Sequence, residues 1–278
     1  MCGICGCTNE EHTHAHVPPH EHVPPHEHVH EHEHAHKHAH AHGHTHTHAH
    51  AHQLKRIAVE TDILLKNREL AQRNRALFAK ARVTTLNILS GPGSGKTTLL
   101  TKLLGQLKGR CPLAVVEGDQ HTELDALRIR ETGVPALQIN TGKGCHLDAQ
   151  QLAQALHTLP LPQDGFLFVE NVGNLVCPAA FDLGETARLV LLSLPEGEDK
   201  PLKYADAFAT AHAIVLSKAD LAPHLETPLQ AFNENLHKVC PKTPVFLLSA
   251  KTGQGLEALL AWLWALKNTP STASPNQG

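Results

Sequence analysis

Short runs of apolar residues recur along the chain from position 83 onward, with helical stretches between them. Continuous apolar runs of this length are typical of parallel strands buried on both faces, because neither face of such a strand meets water. The runs are VTTLNILS, LAVVEGD, PALQIN, FLFVEN, LVLLSL, AIVLSK and VFLLSA. The pattern predicts an α/β fold with a mainly parallel, doubly wound sheet that carries helices on both faces. Ligands of such folds bind at the carboxyl ends of the strands.

A charged segment before the first run predicts a long, partly amphipathic helix over residues 53–82, since it contains neither Pro nor Gly. We therefore divide the chain into a tail (1–52), this helix (53–82), a globular domain (83–270) and a disordered end (271–278). The apolar side chains that recur along this segment, and that fit an amphipathic helix leading into the domain, are Leu54, Ile57, Ala58, Leu64, Leu65, Leu77 and Phe78.

The tail is dominated by histidine. Of 25 histidines in the chain, 19 lie between His12 and His52. Large apolar side chains are nearly absent there, so burial cannot offset the entropy of ordering the backbone, and we expect disorder. Outside the tail, acidic and basic residues nearly balance, which argues against a nucleic-acid partner.

A cytoplasmic protein is expected. No apolar run approaches the roughly 18 residues of a membrane span, and the N-terminus lacks the basic and apolar regions of a signal peptide. Seven cysteines in such a chain favour reduced thiols that are available to a metal over disulfides.

The first apolar run ends in SGPGSGKTT, residues 90–98, and a helical stretch follows. This pattern is typical of the phosphate-binding loop of P-loop NTPases, which wraps phosphates with backbone N–H groups. Lys96 would reach the β and γ phosphates, and the Thr97 hydroxyl would bind Mg²⁺. Ser90 stands where the usual pattern has its first Gly. The other candidate nucleotide-binding residues here are Gly91, Gly93, Ser94, Gly95 and Thr98.

Two later strand ends carry candidates for hydrolysis, which together with Lys96 form the expected catalytic group. Asp119 ends the second run, where a carboxylate would bind Mg²⁺ or orient the attacking water. Asp is also common in ordinary turns, and that alternative stays open. Glu170 and Gly173, in FVENVGN, stand where P-loop enzymes usually have an Asp and a Gly that senses the γ-phosphate.

The sixth run, continued as VLSKAD, offers Lys218 and Asp220 in the place of the guanine-reading Asn-Lys-x-Asp pattern. An Asp there accepts two hydrogen bonds that guanine donates and adenine cannot, which favours GTP over ATP. Ser217 replaces the usual Asn. The seventh run ends in LLSAKTG and resembles the last guanine-contacting loop of GTPases, with Ser249, Ala250 and Lys251.

Cys145 and His146, in TGKGCHLDA, and Cys177, in ENVGNLVCP, stand where they would respond to the nucleotide. We expect the first two to begin a helix, a position that favours the thiolate over the thiol. Two thiolates and an imidazole suit Zn²⁺ or Ni²⁺. The alternative from spacing alone is that the cysteines are small buried side chains and His146 is simply exposed. We call Cys145, His146 and Cys177 the Cys-His cluster.

Cys2, Cys5 and Cys7, the N-terminal cysteines, have a C-x-x-C-x-C spacing that closes small chelate rings around one ion. With the α-amino group they make an S₃N donor set that favours square-planar Ni²⁺ and would also accept Zn²⁺ or Cu⁺. The dense histidines that follow predict many weaker sites, a metal store that empties as imidazoles protonate. A pH-sensing or merely solubilising tail is the alternative.

These motifs together, MCGICGC, the His-rich insert, SGPGSGKTT, GKGCHLDA and ENVGNLVCP, resemble the hydrogenase nickel-incorporation GTPases, the HypB family of SIMIBI-class P-loop GTPases. The resemblance implies a GTP-hydrolysing metallochaperone that supplies Ni²⁺ to the large-subunit precursor of nickel–iron hydrogenase. It implies as partners a small zinc-containing accessory protein and a second copy of the chain, in a dimer favoured by GTP and metal. By motif, the N-terminal cysteines match a nickel site of some members, and the Cys-His cluster matches the family's Zn²⁺ or Ni²⁺ site.

Two rival functions stay open. A urease-type nickel-chaperone GTPase shares the P-loop and the Glu-x-x-Gly switch, but its expected Cys-Pro-His motif is absent here. A metal store with a vestigial GTPase fold is the other, against which the intact Lys96, Thr97 and Asp119 argue. Since no arginine finger is apparent, we expect slow hydrolysis by the chain alone.

Overall fold

The computed structural model describes residues 46–119, 124–142 and 144–269. The N-terminal cysteines, the tail through position 45 and the predicted disordered end lie outside the described residues. Each of the seven apolar runs forms a strand, as the sequence predicts. The strands are β1 Thr84–Ser90, β2 Leu113–Asp119, β3 Ala136–Asn140, β4 Phe166–Glu170, β5 Ala187–Ser193, β6 Ala213–Ser217 and β7 Val245–Leu247.

Within the described residues the strands form one sheet in the order β3-β2-β4-β1-β5-β6-β7, and each neighbouring pair is parallel. This confirms the α/β fold with a doubly wound parallel sheet. Strands inside the sheet, such as β1, β4 and β5, are buried along their whole length. β3 is an edge strand, so its side chains are only half-buried even though its sequence is largely apolar.

Helices cover both faces of the sheet because successive side chains of a strand point to opposite faces. Leu189 and Leu191 of β5 pack in one core cluster, whereas Val190 and Leu192 pack in another. The helices are α1 His46–Lys80, α2 Lys96–Leu107, α3 Leu124–Arg130, α4 Ala149–Ala155, α5 Cys177–Ala180, α6 Lys200–Lys203, α7 Ala205–Ala209, α8 Leu229–Val239 and α9 Leu256–Asn268. None of the helices in the described ranges combines the length and the apolar character that crossing a bilayer requires.

The long helix predicted before the domain is α1, which begins at His46 rather than at Gln53 and ends at Lys80. Of the apolar positions named above whose side chains are described, Phe78 is buried and Leu64 is half-buried, whereas Leu65 and Leu77 are 50% and 41% exposed. The buried stripe recurs at helical spacing and mixes polar with apolar side chains. It consists of Asn67, Ala71, Asn74 and Phe78.

Candidate nucleotide and metal site

The predicted phosphate-binding loop lies between β1 and α2, at the carboxyl edge of the sheet. Gly93 and Gly95 have φ values of 73° and 93°, a region that L side chains rarely adopt, so the turn depends on glycine at both positions. The loop ends at the N-terminus of a twelve-residue helix, whose unpaired N–H groups favour an anion. Gly91, Gly93, Ser94, Gly95, Lys96, Thr97 and Thr98 all lie in this loop or in the first turn of α2.

Ser90, the departure from the usual loop pattern, contacts the loop's lysine. Its hydroxyl accepts a 2.9 Å hydrogen bond from Lys96 Nζ and donates to the carbonyl of Gly91. Burial lowers the pKa of Lys96, and the negative charge of Glu170 works against that shift. The hydroxyl of Ser90 therefore holds the ammonium group over the loop.

Glu170 ends β4 beside α2, and its Oε1 accepts a 2.8 Å hydrogen bond from the Thr97 hydroxyl. This contact joins the expected Mg²⁺ ligand to the expected acidic residue of the switch. Asp119 ends β2, which pairs with β4, and its charge is one of those that oppose the lowering of the Lys96 pKa by burial. The predicted catalytic carboxylates therefore lie at the same edge of the sheet as the loop.

Two further carboxylates, which the sequence reasoning missed, lie at this edge. Glu117 pairs with Glu170 across β2 and β4, and oxygens of Glu117, Asp125 and Glu170 lie within 4.8 Å of one another. Burial, reinforced by the charge of Glu170, raises the pKa of Glu117 to about 8, and burial raises that of Glu170 to about 7. A carboxylate inside an otherwise apolar strand was the available sequence signal for Glu117.

Gly173 lies in the segment between β4 and α5 and packs this segment against the phosphate-binding loop. A Cβ at this position would lie 3.2 Å from the Cα of Pro92, so the two backbones pass in tight contact. The segment continues through Leu175 to Cys177, the first residue of α5. Backbone contact therefore joins the phosphate-binding loop to the segment that leads to Cys177.

The predicted guanine-reading residues gather at the ends of β6 and β7. Ser249 donates a 2.6 Å hydrogen bond from its hydroxyl to Asp220, which lowers the pKa of that carboxyl and keeps it ionised as an acceptor. Lys218 follows β6 in a left-handed backbone conformation, with φ of 58°. Ala250 and Lys251 follow Ser249 directly, the first half-buried and the second exposed.

Glu196 is another carboxylate that the sequence reasoning missed. It follows β5 in a short 3₁₀ turn, and its Oε2 accepts hydrogen bonds from the hydroxyls of Ser94 and Ser193. A Cβ on Gly91 would lie 2.5 Å from the other carboxylate oxygen. Glu196 therefore packs directly against the phosphate-binding loop, and a larger residue at position 91 would have to displace its carboxylate.

The Cys-His cluster is assembled in the fold, since its ligand atoms lie within 4.8 Å of one another. The two sulfur atoms are 2.7 Å apart, and the Cys145 sulfur lies 3.8 Å from His146 Nδ1. Burial lowers the pKa of His146, against the opposing charge of Asp148, and so favours the neutral imidazole that binds metals. Two sulfurs and one imidazole nitrogen fit Ni²⁺ or Zn²⁺ as donors.

One local prediction for this cluster is wrong. Cys145 and His146 do not begin a helix, because α4 begins at Ala149. Asp148 is its N-cap and forms a capping box with Gln151, so a carboxylate occupies the positive end of the helix. The helix end consequently gives no direct stabilisation to a Cys145 thiolate.

Comparisons with known proteins agree with this geometry. The nucleotide-binding domain model described as CobW/HypB/UreG matches residues 85–247. Hydrogenase maturation factor HypB of Escherichia coli strain K12 is 54% identical over 211 residues, which cover 76% of this chain and 73% of that protein. Hydrogenase/urease maturation factor HypB of Helicobacter pylori is 41% identical over 207 residues, which cover 73% of this chain and 85% of that protein.

Two solved structures share the fold. HypB of Helicobacter pylori, crystallised in complex with nickel, superposes with a TM-score of 0.71 and 39% identity, covering 76% of this chain and 100% of that one. HypB of Archaeoglobus fulgidus gives a TM-score of 0.68 and 32% identity, covering 73% of this chain and 100% of that one. The similarity therefore extends over the full length of both structures.

Proposed function

This chain belongs to the HypB family of P-loop GTPases, and on that premise we propose that it is a GTP-hydrolysing nickel metallochaperone whose Cys-His cluster changes with the bound nucleotide. The observation that carries the proposal is the continuity of one segment. Gly173 touches the phosphate-binding loop at Pro92, and four positions later Cys177 lies against Cys145. Nucleotide state and metal affinity would be coupled through this segment.

The nucleotide roles follow from the contacts. Lys96 and the loop's N–H groups would bind the phosphates, while Asp220 would accept the guanine hydrogen bonds that Ser249 helps to orient. Thr97 and Asp119 would hold Mg²⁺, which neutralises phosphate charge when bound, and Glu170 orients the Thr97 hydroxyl. Hydrolysis by the chain alone would be slow, since catalysis would depend on positioning alone, with no arginine finger to stabilise the charge of the transition state.

Nickel is the cargo in this proposal. Three donors in one chain leave a coordination shell incomplete, so a second copy of the chain would supply the remaining ligands in a GTP-favoured dimer. The same donors would accept Zn²⁺. The N-terminal cysteines and the histidines after them would hold the supply. The acceptors would be the large-subunit precursor of nickel–iron hydrogenase and a small zinc-containing accessory protein, all in the cytoplasm.

A titration of the full chain tests the proposal. Ni²⁺ is added with GDP or with a non-hydrolysable GTP analogue while the thiolate-to-nickel charge-transfer band and the oligomeric state are recorded. The parent protein and all variants also carry Cys2→Ser, Cys5→Ser and Cys7→Ser, so that the charge-transfer band reports thiols of the GTPase domain. Cys145→Ser and Cys177→Ser remove the cluster, and Cys240→Ser is the matched control, since its buried thiol donates to Leu236 in α8.

We expect a band that differs between the two nucleotides, persists in Cys240→Ser and disappears in the cluster variants. The analogue should also favour the dimer. A band that survives in both cluster variants would contradict the site. If substitution of the N-terminal cysteines alone removes all thiolate binding, the protein is a nickel store and the proposed coupling is wrong.

A further inference from the structure

The residues of the Cys-His cluster come from two chain segments that lie far apart in sequence. The first ligand segment, 145–149, carries Cys145 and His146 and ends in the first residue of α4. The second ligand segment, 177–184, begins with Cys177 and runs through α5 to Gly184. The geometry of the cluster depends on how these two segments are held relative to each other.

Asn67 of α1 hydrogen-bonds both ligand segments. Its Oδ1 accepts from the backbone N–H of Ala149 at 2.9 Å, and its Nδ2 donates to the carbonyl of Asp182 at 2.8 Å. The side chain is 6% exposed, so water does not compete for these groups. One amide therefore joins the two segments from the side of α1.

Asn74, two helical turns further along α1, repeats the arrangement. Its Nδ2 donates to the carbonyl of Ala149 at 2.9 Å and to that of Leu183 at 3.0 Å. The side chain is 3% exposed. Ala149 is thus held at both its N–H and its carbonyl by α1, and each asparagine also bonds the second ligand segment.

Glycine at position 184 allows α1 to approach the second ligand segment closely. Gly184 has φ of 85°, and a Cβ there would lie 2.4 Å from the carbonyl oxygen of Ala71. Ala71 lies between Asn67 and Asn74 on the buried stripe of α1. Only a small residue in the helix and glycine beneath it allow both asparagine amides to reach the backbone of the segments.

Other residues hold each ligand segment separately. Asn171 accepts from the N–H of Leu147, in the first ligand segment. Arg188 of β5 donates to the carbonyls of Ala179 and Phe181, in the second. These contacts tie each segment to the sheet, while the amides of α1 bridge the two segments to each other.

We infer that Asn67 and Asn74 are positioning residues that set the distance between the metal ligands of the two segments, an inference that rests on the proposed metal function of the Cys-His cluster. Neither side chain is a ligand. They act through backbone groups of Ala149, Asp182 and Leu183, one step further out than the hydrogen-bond partners that metal ligands themselves have. Losing a direct partner typically lowers metal affinity by roughly 10- to 100-fold, which sets the range of the effect to be tested here.

Two substitutions separate this role from a general role in folding. Asn74→Ala removes both bridging bonds of one amide. Asn67→Asp is isosteric and keeps the acceptor for Ala149, but it places a carboxylate oxygen against the carbonyl of Asp182 in place of a donor. Gln72→Ala, an exposed position on the same helix, is the matched control. All three variants are made in the full chain that carries Cys2→Ser, Cys5→Ser and Cys7→Ser, and this chain is the parent for comparison.

The measurements are Ni²⁺ affinity with the charge-transfer spectrum, and GDP affinity. We expect Ni²⁺ affinity to fall by roughly 10- to 100-fold in both asparagine variants, with an altered band, while Gln72→Ala matches the parent. GDP affinity should not change, because the hydrogen bonds of these amides end on the ligand segments and not on the phosphate-binding loop.

An unchanged Ni²⁺ affinity and band in both asparagine variants would overturn the inference. So would a parallel loss of Ni²⁺ and GDP affinity in both variants, since that reports a role in folding alone. If the parent chain itself shows no thiolate band, the proposed metal function fails and this inference falls with it. A normal parent band that both variants retain removes the positioning role alone.

Discussion

The hydroxyl of Ser217 donates a 2.7 Å hydrogen bond to the main-chain carbonyl of Ser94, so the base-reading end of β6 is joined directly to the phosphate-binding loop. Both residues are buried. Ser217 stands where the guanine-reading pattern usually has Asn, and its hydroxyl bonds the loop from that position. The hydroxyl therefore connects the proposed base and phosphate subsites.

Replacing Ser217 with Ala should weaken nucleotide binding. The change leaves the buried carbonyl of Ser94 without this donor, which costs about 1–3 kcal/mol. We expect GDP affinity to fall by up to about 100-fold, measured by calorimetric titration. Ser217→Thr keeps the hydroxyl and should stay closer to the wild type. Equal affinity of the Ala variant and the wild type would show that the bond does not support the site.

Replacing Gly173 with Ala should slow GTP hydrolysis more than it weakens GDP binding. The added Cβ would lie 3.2 Å from Pro92 Cα, and overpacking of this kind costs about 1–3 kcal/mol. We expect a rate at least about tenfold lower in a single-turnover assay. Gly105→Ala in α2 is the control, because a Cβ there meets nothing within 4 Å. A normal rate for the Gly173 variant would argue against a switch at this contact.

The acidic group beside the loop predicts a specific pH dependence of stability. Burial raises the pKa of Glu117 from 4.5 to about 8, so the folded protein retains a proton that the unfolded chain releases. The stabilisation is therefore present at low pH and is lost as the pH rises from about 4.5 to about 8. The loss is at most about 1.4 kcal/mol per pH unit for one proton.

Glu117→Gln should flatten this dependence, because the amide does not titrate. The pKa of Glu170, which burial raises to about 7, leaves a smaller pH dependence in the variant. Urea unfolding across this pH range, without nucleotide and with a chelator, measures the effect. Glu131→Gln, at an exposed position on the chain after α3, is the control. Parallel curves for wild type and Glu117→Gln would show that Glu117 is already ionised in the fold.

The strands and the loop could be predicted because their signals are local. A strand buried on both faces has to be apolar throughout, and a phosphate-binding loop has to have glycine and lysine at fixed spacing. The same logic placed Gly173 and Cys177 on one segment. It also placed Asp220 and Ser249 at strand ends, which the structure shows to be neighbours and joins by a hydrogen bond.

The polar residues that connect distant segments could not be predicted in the same way. Asn67 and Asn74 look like exposed positions of a charged helix, and only the packing of α1 over Gly184 makes them buried. Glu117 lies beside Glu170 only because of the register in which β2 pairs with β4. Glu196 reaches the loop from a turn more than a hundred positions away, as the separation of its bond to Ser94 shows.

The imidazole of His146 stacks on Phe181, with ring centroids 3.8 Å apart and planes 28° from parallel, and this contact gives the last prediction. Phe181 lies in the second ligand segment, so its ring packs on a proposed metal ligand of the first. Phe181→Leu keeps an apolar side chain of smaller volume but loses the flat face. We expect Ni²⁺ affinity to fall by roughly tenfold or more, as for other residues that orient a metal-binding histidine.

Replacing a second buried phenylalanine is the control that separates an effect on the orientation of the imidazole from an effect on folding. Phe166, the first residue of β4, is 0% exposed and packs against Trp264 of α9, in a core cluster that contains no residue of the two ligand segments. Phe166→Leu should lower the free energy of unfolding by a similar amount, because both changes remove buried ring volume. If its Ni²⁺ affinity falls as far as that of Phe181→Leu, the Phe181 ring acts only through stability. If it stays at the wild-type value, the stacked ring orients the imidazole.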